Sequence, residues 1–405
     1  MTLAVVSSHP IQYHAPVYRA LQADFGVPVT AIYGSDFSVA GYHDREFGVN
    51  FAWDTDLLSG YDSIFLSQVA AGGARSVEEV TTHGLGSALR QIRPRAVLLI
   101  GYSLPMYRAA FWYAQRLRLP VLFRAEVTDL SASRSLFKSI LRDQSLRLFY
   151  RRCAALMYIG KNARAHFRRL GCPDKKLFFS PYCVDTAPFQ LGEAVRGQLR
   201  STTRAALELS DDRQVLLFCG KLAPHKGPDL ALHAIKRLPH KVREQVTLAF
   251  LGDGEMRDRL QDLAAADPWV DVRFLGFQNQ QRLSQYYHAA DLLVLSSHGE
   301  TWGLVVNEAL LHGLPCIVSD AVGCAPDLIR PGVTGEIFRA GQIDDLSQAM
   351  IRILQTPNDA LRRARCRQQV ESYMTEGAAE GLARAYAFST RDHVGDVRST
   401  REQSS

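Results

Sequence analysis

Four side chains in the second half of the sequence have the types and spacing to grip a phosphorylated, hydroxyl-rich ligand: Lys221, Lys226, Glu300 and Glu308. Lys221 and Lys226 lie in KLAPHKG, directly after the apolar run VLLFCG (215–220), in a loop that Gly220 and Gly227 keep slim ahead of a helical pattern. Two ammonium groups beside helix-start amides put positive potential where a diphosphate carries or develops negative charge. A two-lysine loop taken alone is more often surface decoration. Glu300 and Glu308 bracket TWGLVVN within SSHGETWGLVVNEALLHGLPCIVSD. The first falls in a loop and the second on a helix that begins near Gly303 and closes at Gly313, ahead of Pro315. A carboxylate accepts paired hydrogen bonds from vicinal hydroxyls, so two of them can hold two diols of one ligand. The backbone amides of Gly303, Leu304 and Val305, at the helix start, are placed for phosphate oxygens. Cation, amides and two carboxylates together suit a sugar, a diphosphate and a ribose.

The elements that must position these groups are short apolar strands alternating with helical patterns. In the first half the strand candidates are 3–8, 27–34, 96–101, 120–126 and 155–160; in the second they are 215–220, 246–252, 272–277, 292–297 and 316–320. Such alternation implies parallel βαβ units, with ligands bound at the carboxyl ends of the strands. The polar stretch from about Thr186 to Arg213 contains no strand pattern and is the best domain junction. The expected organisation is an N-terminal Rossmann-like domain over 1–190, a linker over 191–213 and a C-terminal Rossmann-like domain over 214–358. A helix over 359–388 and a disordered tail over 389–405 complete it.

From Val215 to Phe338 the sequence is similar to the C-terminal domain of family 4 glycosyltransferases, whose signature is a glutamate, seven residues and a second glutamate. Here it reads ETWGLVVNE, accompanied in order by GKLAPHKG, LGDGEMRDRL, VRFLGF, YYHAADLLVLSS, EALLHGLPCIVSD and GVTGEIF. The resemblance implies a GT-B fold, two doubly wound α/β domains facing across a cleft, with the last helix returning to the first domain. It implies transfer, with retention, of a hexosyl group from a UDP- or GDP-linked sugar to a saccharide or lipid-linked acceptor, as in bacterial envelope or exopolysaccharide synthesis. By the same resemblance Lys221 and Lys226 bind the diphosphate, Glu308 the ribose hydroxyls, Glu300 the transferred sugar, and Gly276 and Phe277 the base. No metal or other cofactor is implied, because lysines and amides manage the diphosphate. The alternative is a catalytically silent nucleotide-sugar-binding protein that partners a true transferase.

The first half would take the acceptor. After the first strand comes SSHPIQYHAPVYRAL, resembling a subgroup of the family that carries HPIQYHAP in place of a glycine-rich loop. His9, Gln12, Tyr13 and His14 are the acceptor-side candidates, although two histidines in a turn serve structure as often as function. Many family members place a histidine where this chain has Glu126, and a carboxylate donates a hydrogen bond only when protonated. Glu126 joins Glu300 and Lys226 as the residues expected nearest the reacting atoms. Arg124, two residues earlier, is positioned to pair with Glu126. Asp54 and Asp56 form a DxD that lacks the strand context of a metal site and is discounted.

Bulk properties set the frame. The chain has 405 residues, 47% of them hydrophobic, which suits two domains. Its seven cysteines show no pairing pattern, which fits reduced thiols and a cytoplasmic protein. The N-terminus has no basic leader and no window is apolar enough to span a membrane. The net charge of +6 is concentrated between Ser131 and Leu170, where ten bases from Arg134 to Arg169 face Asp143 alone. Apolar residues at helical spacing lie among them, so this is either a solvated helical face or a patch for the anionic inner face of the plasma membrane. Nucleic acid is excluded as a partner for want of an aromatic platform or a known motif.

Overall fold

The computed structural model describes residues 2–44, 49–129, 136–185, 191–356 and 359–402. In chain order its strands begin with β1 (Leu3–Ser7), β2 (Val29–Tyr33), β3 (Tyr42–Asp44), β4 (Val49–Phe51), β5 (Asp62–Phe65), β6 (Ala96–Leu99), β7 (Val121–Arg124), β8 (Ala155–Tyr158) and β9 (Leu177–Phe179). They continue with β10 (Gln214–Cys219), β11 (Val246–Leu251), β12 (Asp271–Gly276), β13 (Leu292–Leu295), β14 (Cys316–Ser319) and β15 (Gly335–Phe338). The chain divides into two units: one holds 1–42, 56–185 and 373–405, the other 43–55 and 186–372.

The first unit carries a seven-stranded sheet in the order β5-β2-β1-β6-β7-β8-β9, with parallel pairing throughout. Strands β1, β2, β6 and β7 are buried along their whole length, which is why they read as continuous apolar runs rather than alternating ones. The helix Ala15–Phe25 follows β1 and stops at Gly26, whose φ of 62° provides the left-handed cap.

The second unit carries a six-stranded sheet in the order β12-β11-β10-β13-β14-β15, again parallel. Its core is built from Leu216, Phe218, Leu248, Phe250, Val294 and Ile317 of the strands against Leu232, Ile235, Leu346 and Met350 of the helices. Sequence order reverses at β10, which has β11 on one side and β13 on the other. That reversal opens a crevice beyond the carboxyl ends of β10 and β13. In the first unit the corresponding reversal lies between β1 and β6.

Several sequence expectations need correction. The stretch read as a linker over 191–213 contains the helix Glu193–Ala206, packed on the second unit. Its polar residues are specific donors rather than solvated ones. Arg204, 1% exposed, donates to the carbonyls of Ala289, Ser210 and Arg213, and Arg200 donates to Asp291 at 2.7 Å. The single helix expected over 359–388 is two. Ala360–Val370 stays with the second unit, where Gln369 donates to the Asp327 carbonyl. Thr375–Glu402 belongs to the first unit and runs through most of the stretch read as a disordered tail. There Ser180 donates to the carbonyl of Ala378, and Phe178 packs on Phe388 with ring centroids 5.4 Å apart. Strands β5, β9 and β15 were not expected, and each is only three or four residues long.

The basic stretch is also less one-sided than its sequence window. Arg168 pairs with Asp174 at 2.8 Å, and Arg169 with both Asp129 and Asp143, so two acids just outside the window neutralise part of it. Arg134 lies outside the described residues. On the helix Leu136–Arg152, Ile140, Leu141 and Leu148 are 59%, 52% and 55% exposed. Among the described residues no helix is long and apolar enough to cross a membrane.

Candidate active site

The donor-side candidates converge at the reversal point of the second sheet. Strand β10 delivers its loop beside β13 because glycine permits three close backbone approaches. A Cβ on Gly227, at φ 61°, would stand 2.6 Å from the Ser296 carbonyl oxygen, and Ser296 itself donates to the Gly227 carbonyl at 2.6 Å. A Cβ on Gly252 would meet the Gly220 carbonyl at 1.9 Å, and one on Gly254 would meet that of Leu222 at 2.7 Å. Any side chain at these positions would push the lysine loop off the sheet.

So held, Lys226 forms an ion pair with Glu300, the first residue of the ETWGLVVNE motif. Glu300 is fixed in turn through its backbone: its amide donates to the Ala321 carbonyl at 3.1 Å and its carbonyl accepts from Gly323 at 2.9 Å. The helix Leu304–Leu311 starts at Gly303, φ 100°, where a Cβ would stand 3.1 Å from both Leu295 and Val322. Leu304 and Val305 therefore supply the first-turn amides, which have no acceptor within their own helix. Trp302, 3% exposed, is locked by its indole donating to Asn307 at 2.9 Å.

Glu308 sits on that helix with 6% exposure. It accepts from the Tyr287 hydroxyl at 2.6 Å and from Gln280. Burial is the largest influence on its carboxyl and, against those two hydrogen bonds, pushes it up to about 7. Tyr287 also contacts the buried Cys219 thiol at the end of β10 and stacks on His312 with centroids 4.9 Å apart. His312 donates through Nδ1 to the Glu308 carbonyl at 2.7 Å and accepts from Ser284 at 2.9 Å. Neither Tyr287 nor Gln280 was singled out from sequence. Tyr287 stands in the quoted block YYHAADLLVLSS, but an apolar-flanked tyrosine ahead of a strand looks like core.

Lys221 is half-buried at the loop start, and its backbone carbonyl accepts from Ala223 at 3.0 Å. Gly276 ends β12 at φ 68° and its carbonyl accepts from Gly252 at 2.9 Å, with Phe277 next, half-buried.

In the first unit the candidates gather around Tyr182, a residue the sequence reading missed because β9 was missed. Arg124, 3% exposed, donates to the carbonyls of Ser180 and Pro181 and lies 5.0 Å over the Tyr182 ring. Glu126 stands past the end of β7, exposed, in a hydrogen bond with the Tyr182 hydroxyl. The strand expected over 120–126 stops at Arg124, so Glu126 lies in the turn beyond it, and both residues meet Tyr182. Tyr13 and His14 pack on Tyr182 at 5.3 and 6.1 Å. His14 is buried with both ring nitrogens unpartnered, and the Gln12 side-chain oxygen is likewise buried without a partner. Burial, then Arg124 and His9, hold the His14 imidazole well below its ordinary range, so it is neutral. His9 bonds Ser8 at 2.9 Å, packs on Phe37 with ring centroids 4.5 Å apart, and burial lowers it to about 4. Asp54 and Asp56 divide between the two units; Asp54 accepts from the Gln281 amide and Asp56 from those of Leu58 and Ser59. Among the described residues no group of three or more His, Cys, Asp or Glu is placed to hold a metal ion.

The fold has counterparts among known proteins. The fold matches the solved structure of Anabaena Alr3699/HepE in complex with UDP-glucose, with a TM-score of 0.68 at 15% identity over 96% of this chain and 99% of that one. It also matches the sucrose-phosphate synthase of Thermosynechococcus elongatus, with a TM-score of 0.69 at 19% identity over 96% and 98%. Two parallel-sheet α/β units of this kind define the GT-B class. Residues 200–372 match the family Glycosyl transferases group 1, and the chain carries a domain of that family. A D-inositol 3-phosphate glycosyltransferase of Actinosynnema mirum is 33% identical over 222 residues, 53% of this chain and 49% of that protein. The chain thus spans about half the length of the curated relatives it matches.

Proposed function

We propose that this chain is a glycosyltransferase that moves a hexosyl group, with retention, from a UDP- or GDP-linked sugar to a saccharide or lipid-linked acceptor. The observation that carries the reading is the Lys226–Glu300 ion pair at the reversal point of the second sheet, beside a glutamate whose carboxyl is held by Tyr287. Lys226 and Lys221, with the first-turn amides of Leu304 and Val305, neutralise the diphosphate as it leaves. Glu300 orients the hydroxyls of the transferred sugar and Glu308 accepts from the ribose diol. Gly276 and Phe277 flank the base, and Glu126 accepts from a donor hydroxyl. The acceptor side is the Tyr13–His14–Tyr182–Arg124 cluster, with Gln12 and His9 beside it. The chemistry is metal-independent, because lysines and amides supply the positive charge. The exposed leucines and bases of the helix Leu136–Arg152 suit peripheral contact with an anionic membrane, and envelope or exopolysaccharide synthesis is the matching role. The complex of HepE with UDP-glucose supports a nucleotide-sugar donor. The binding-only alternative has no observation of its own, since every donor-side group is present.

The first test is calorimetric titration of UDP, GDP, ADP and their hexose conjugates, with and without EDTA. Micromolar binding of one series, unchanged by EDTA, is the expected result; absence of binding by all of them sinks the donor assignment.

The state of Glu308 adds a pH signature. Ribose hydroxyls favour the carboxylate, so the bound form has the lower pKa and affinity rises with pH up to about 7, the value for the free protein. Between pH 8 and pH 6 the dissociation constant is expected to weaken about tenfold; a flat profile would remove Glu308 from the ribose. Stability of the free protein runs the other way. The folded pKa lies above the unfolded one, so the native state binds the extra proton and stability falls as pH rises from about 4.5 to about 7. Glu308→Gln keeps an acceptor for Tyr287 and removes that slope. It is expected to raise the stability of the unliganded protein at pH 8 by about 3 kcal/mol while weakening nucleotide binding.

A further inference from the structure

Behind the helix that carries Glu308 lies a second polar cavity of about 80 Å³, enclosed by the helix Glu193–Ala206, the helix Gln280–Ala289 and the helix Ala360–Val370. All of its walls belong to the second unit. Arg196, Arg200, Arg363 and Arg367 line it against the lone carboxylate of Glu193 among the lining residues. The imidazole of His288 also lines it, 7% exposed, and its Nε2 has no hydrogen-bond partner. Burial first, and then all four guanidinium groups, draw that ring down to about 4, which places the four cations around one buried nitrogen.

Hydrogen bonds to backbone account for part of this composition, since Arg196 donates to the carbonyls of Leu191 and Leu311 and Arg200 to those of His288, Ala289 and Ala290, but not for four guanidinium groups around one cavity. A helix docks on its neighbours most cheaply through apolar contacts, and like charges drawn into one half-buried space repel. Arg196 and Arg363 are both held below the ordinary guanidinium range, by burial and then by a neighbouring arginine. Two nearby carboxylates, Glu193 and Asp291, stand against the four guanidinium charges. Glu193 pairs with Arg367 at 3.0 Å and with Arg196 at 3.8 Å from the rim, where its side chain is 70% exposed. Asp291 is shared between Arg200 and Arg204. A cavity of this size holds several water molecules and thus a tetrahedral oxyanion, which would accept from guanidinium forks and from a neutral imidazole at once.

We propose that this cavity is a binding site for a phosphate group, either orthophosphate or the terminal phosphate of a small monoester, separate from the site of Lys226. Tyr287 lines one wall with its ring and reaches Glu308 with its hydroxyl, so the two sites are adjacent yet built from different cations.

The test uses the full chain, with potassium phosphate, glycerol 3-phosphate and potassium chloride titrated at matched ionic strength and read by thermal shift and calorimetry. Because a lysine loop also attracts phosphate, each titration is repeated in Lys226→Ala. At a hundred times the dissociation constant, phosphate or the monoester is expected to raise Tm by roughly 3 to 7 °C in both proteins, whereas chloride does not. At equal ligand concentration, a larger effect of the monoester identifies it as the ligand class, and an equal or smaller one identifies orthophosphate. The increment is expected to vanish in Arg363→Gln/Arg367→Gln. Should that variant fail to fold, the His288 ring resonances of the wild-type protein, assigned by loss in His288→Asn, are expected to shift on adding phosphate. The proposal is overturned if phosphate gives no increment, if Lys226→Ala alone abolishes it, or if the His288 signals stay fixed while phosphate binds. Nucleotide affinity enters none of these readouts, so failure here is distinct from failure of the donor assignment.

Discussion

Replacing Lys226 by alanine is expected to lower transfer by roughly thirty- to a thousand-fold, equivalent to about 2 to 4 kcal/mol of transition-state stabilisation. The charge it opposes grows on the departing diphosphate, so the loss belongs mainly to turnover rather than to ground-state affinity. The ion pair with Glu300 adds a second effect. With the lysine gone, a carboxylate only 17% exposed loses its counter-ion and faces the incoming phosphates directly. The double variant Lys226→Ala/Glu300→Ala is therefore expected to be little worse than Lys226→Ala alone, since two groups acting as a unit are not additive. Initial rates of nucleotide release at saturating acceptor give the comparison, with thermal unfolding as the control for folding. Turnover within threefold of wild type in Lys226→Ala would remove that lysine from the chemistry.

Gly381→Ala is expected to be the most damaging single-methyl change in the first unit. Alanine is favoured over glycine in a helix by about 1 kcal/mol, so propensity alone predicts stabilisation. The added Cβ, however, would stand 1.7 Å from the Phe179 carbonyl oxygen and 3.0 Å from the Ser180 Cα. Both neighbours are backbone, so relief requires the helix Thr375–Glu402 to move away from β9. Overpacking of this kind costs about 1 to 3 kcal/mol, occasionally more, and the contact also sets the Ser180 and Thr375 hydrogen bonds. A net loss of about 2 kcal/mol or more by chemical denaturation is the expected balance. A variant more stable than wild type would mean that helix and strand do not meet at this distance.

The sequence shows best what repeats locally. Parallel strands such as LAVVS and VLLFC are buried along their full length and nearly all apolar, and the glutamates of ETWGLVVNE fall on a loop and a helix that glycine and proline punctuate. What escapes notice is supplied by distant residues. Tyr287 precedes Glu308 by one helix and one strand, and its hydroxyl is useful only because the Gln280–Ala289 helix is folded beside it. Strand β9 is three half-buried residues, too few for any period to register. The helix Glu193–Ala206 resembles a linker because its arginines answer to carbonyls near residue 289 and to Asp291. Asp129 and Asp174 fall outside the basic window in sequence but inside it in space.

The division of the chain between units also bears on its synthesis. The first unit takes its strands from residues translated before the second unit and the helix Thr375–Glu402 from residues translated after it. The second unit must be translated in between, which at about 5–20 residues per second takes roughly 10 to 40 s. Through that interval the face of the Ala15–Phe25 helix and the flank of β8 and β9 await the segment holding Ala378, Leu382 and Ala385, all at most 1% exposed when it arrives. The unit begun first is thus completed only after the second has been made, and its sheet stays open to a nascent-chain chaperone through that interval.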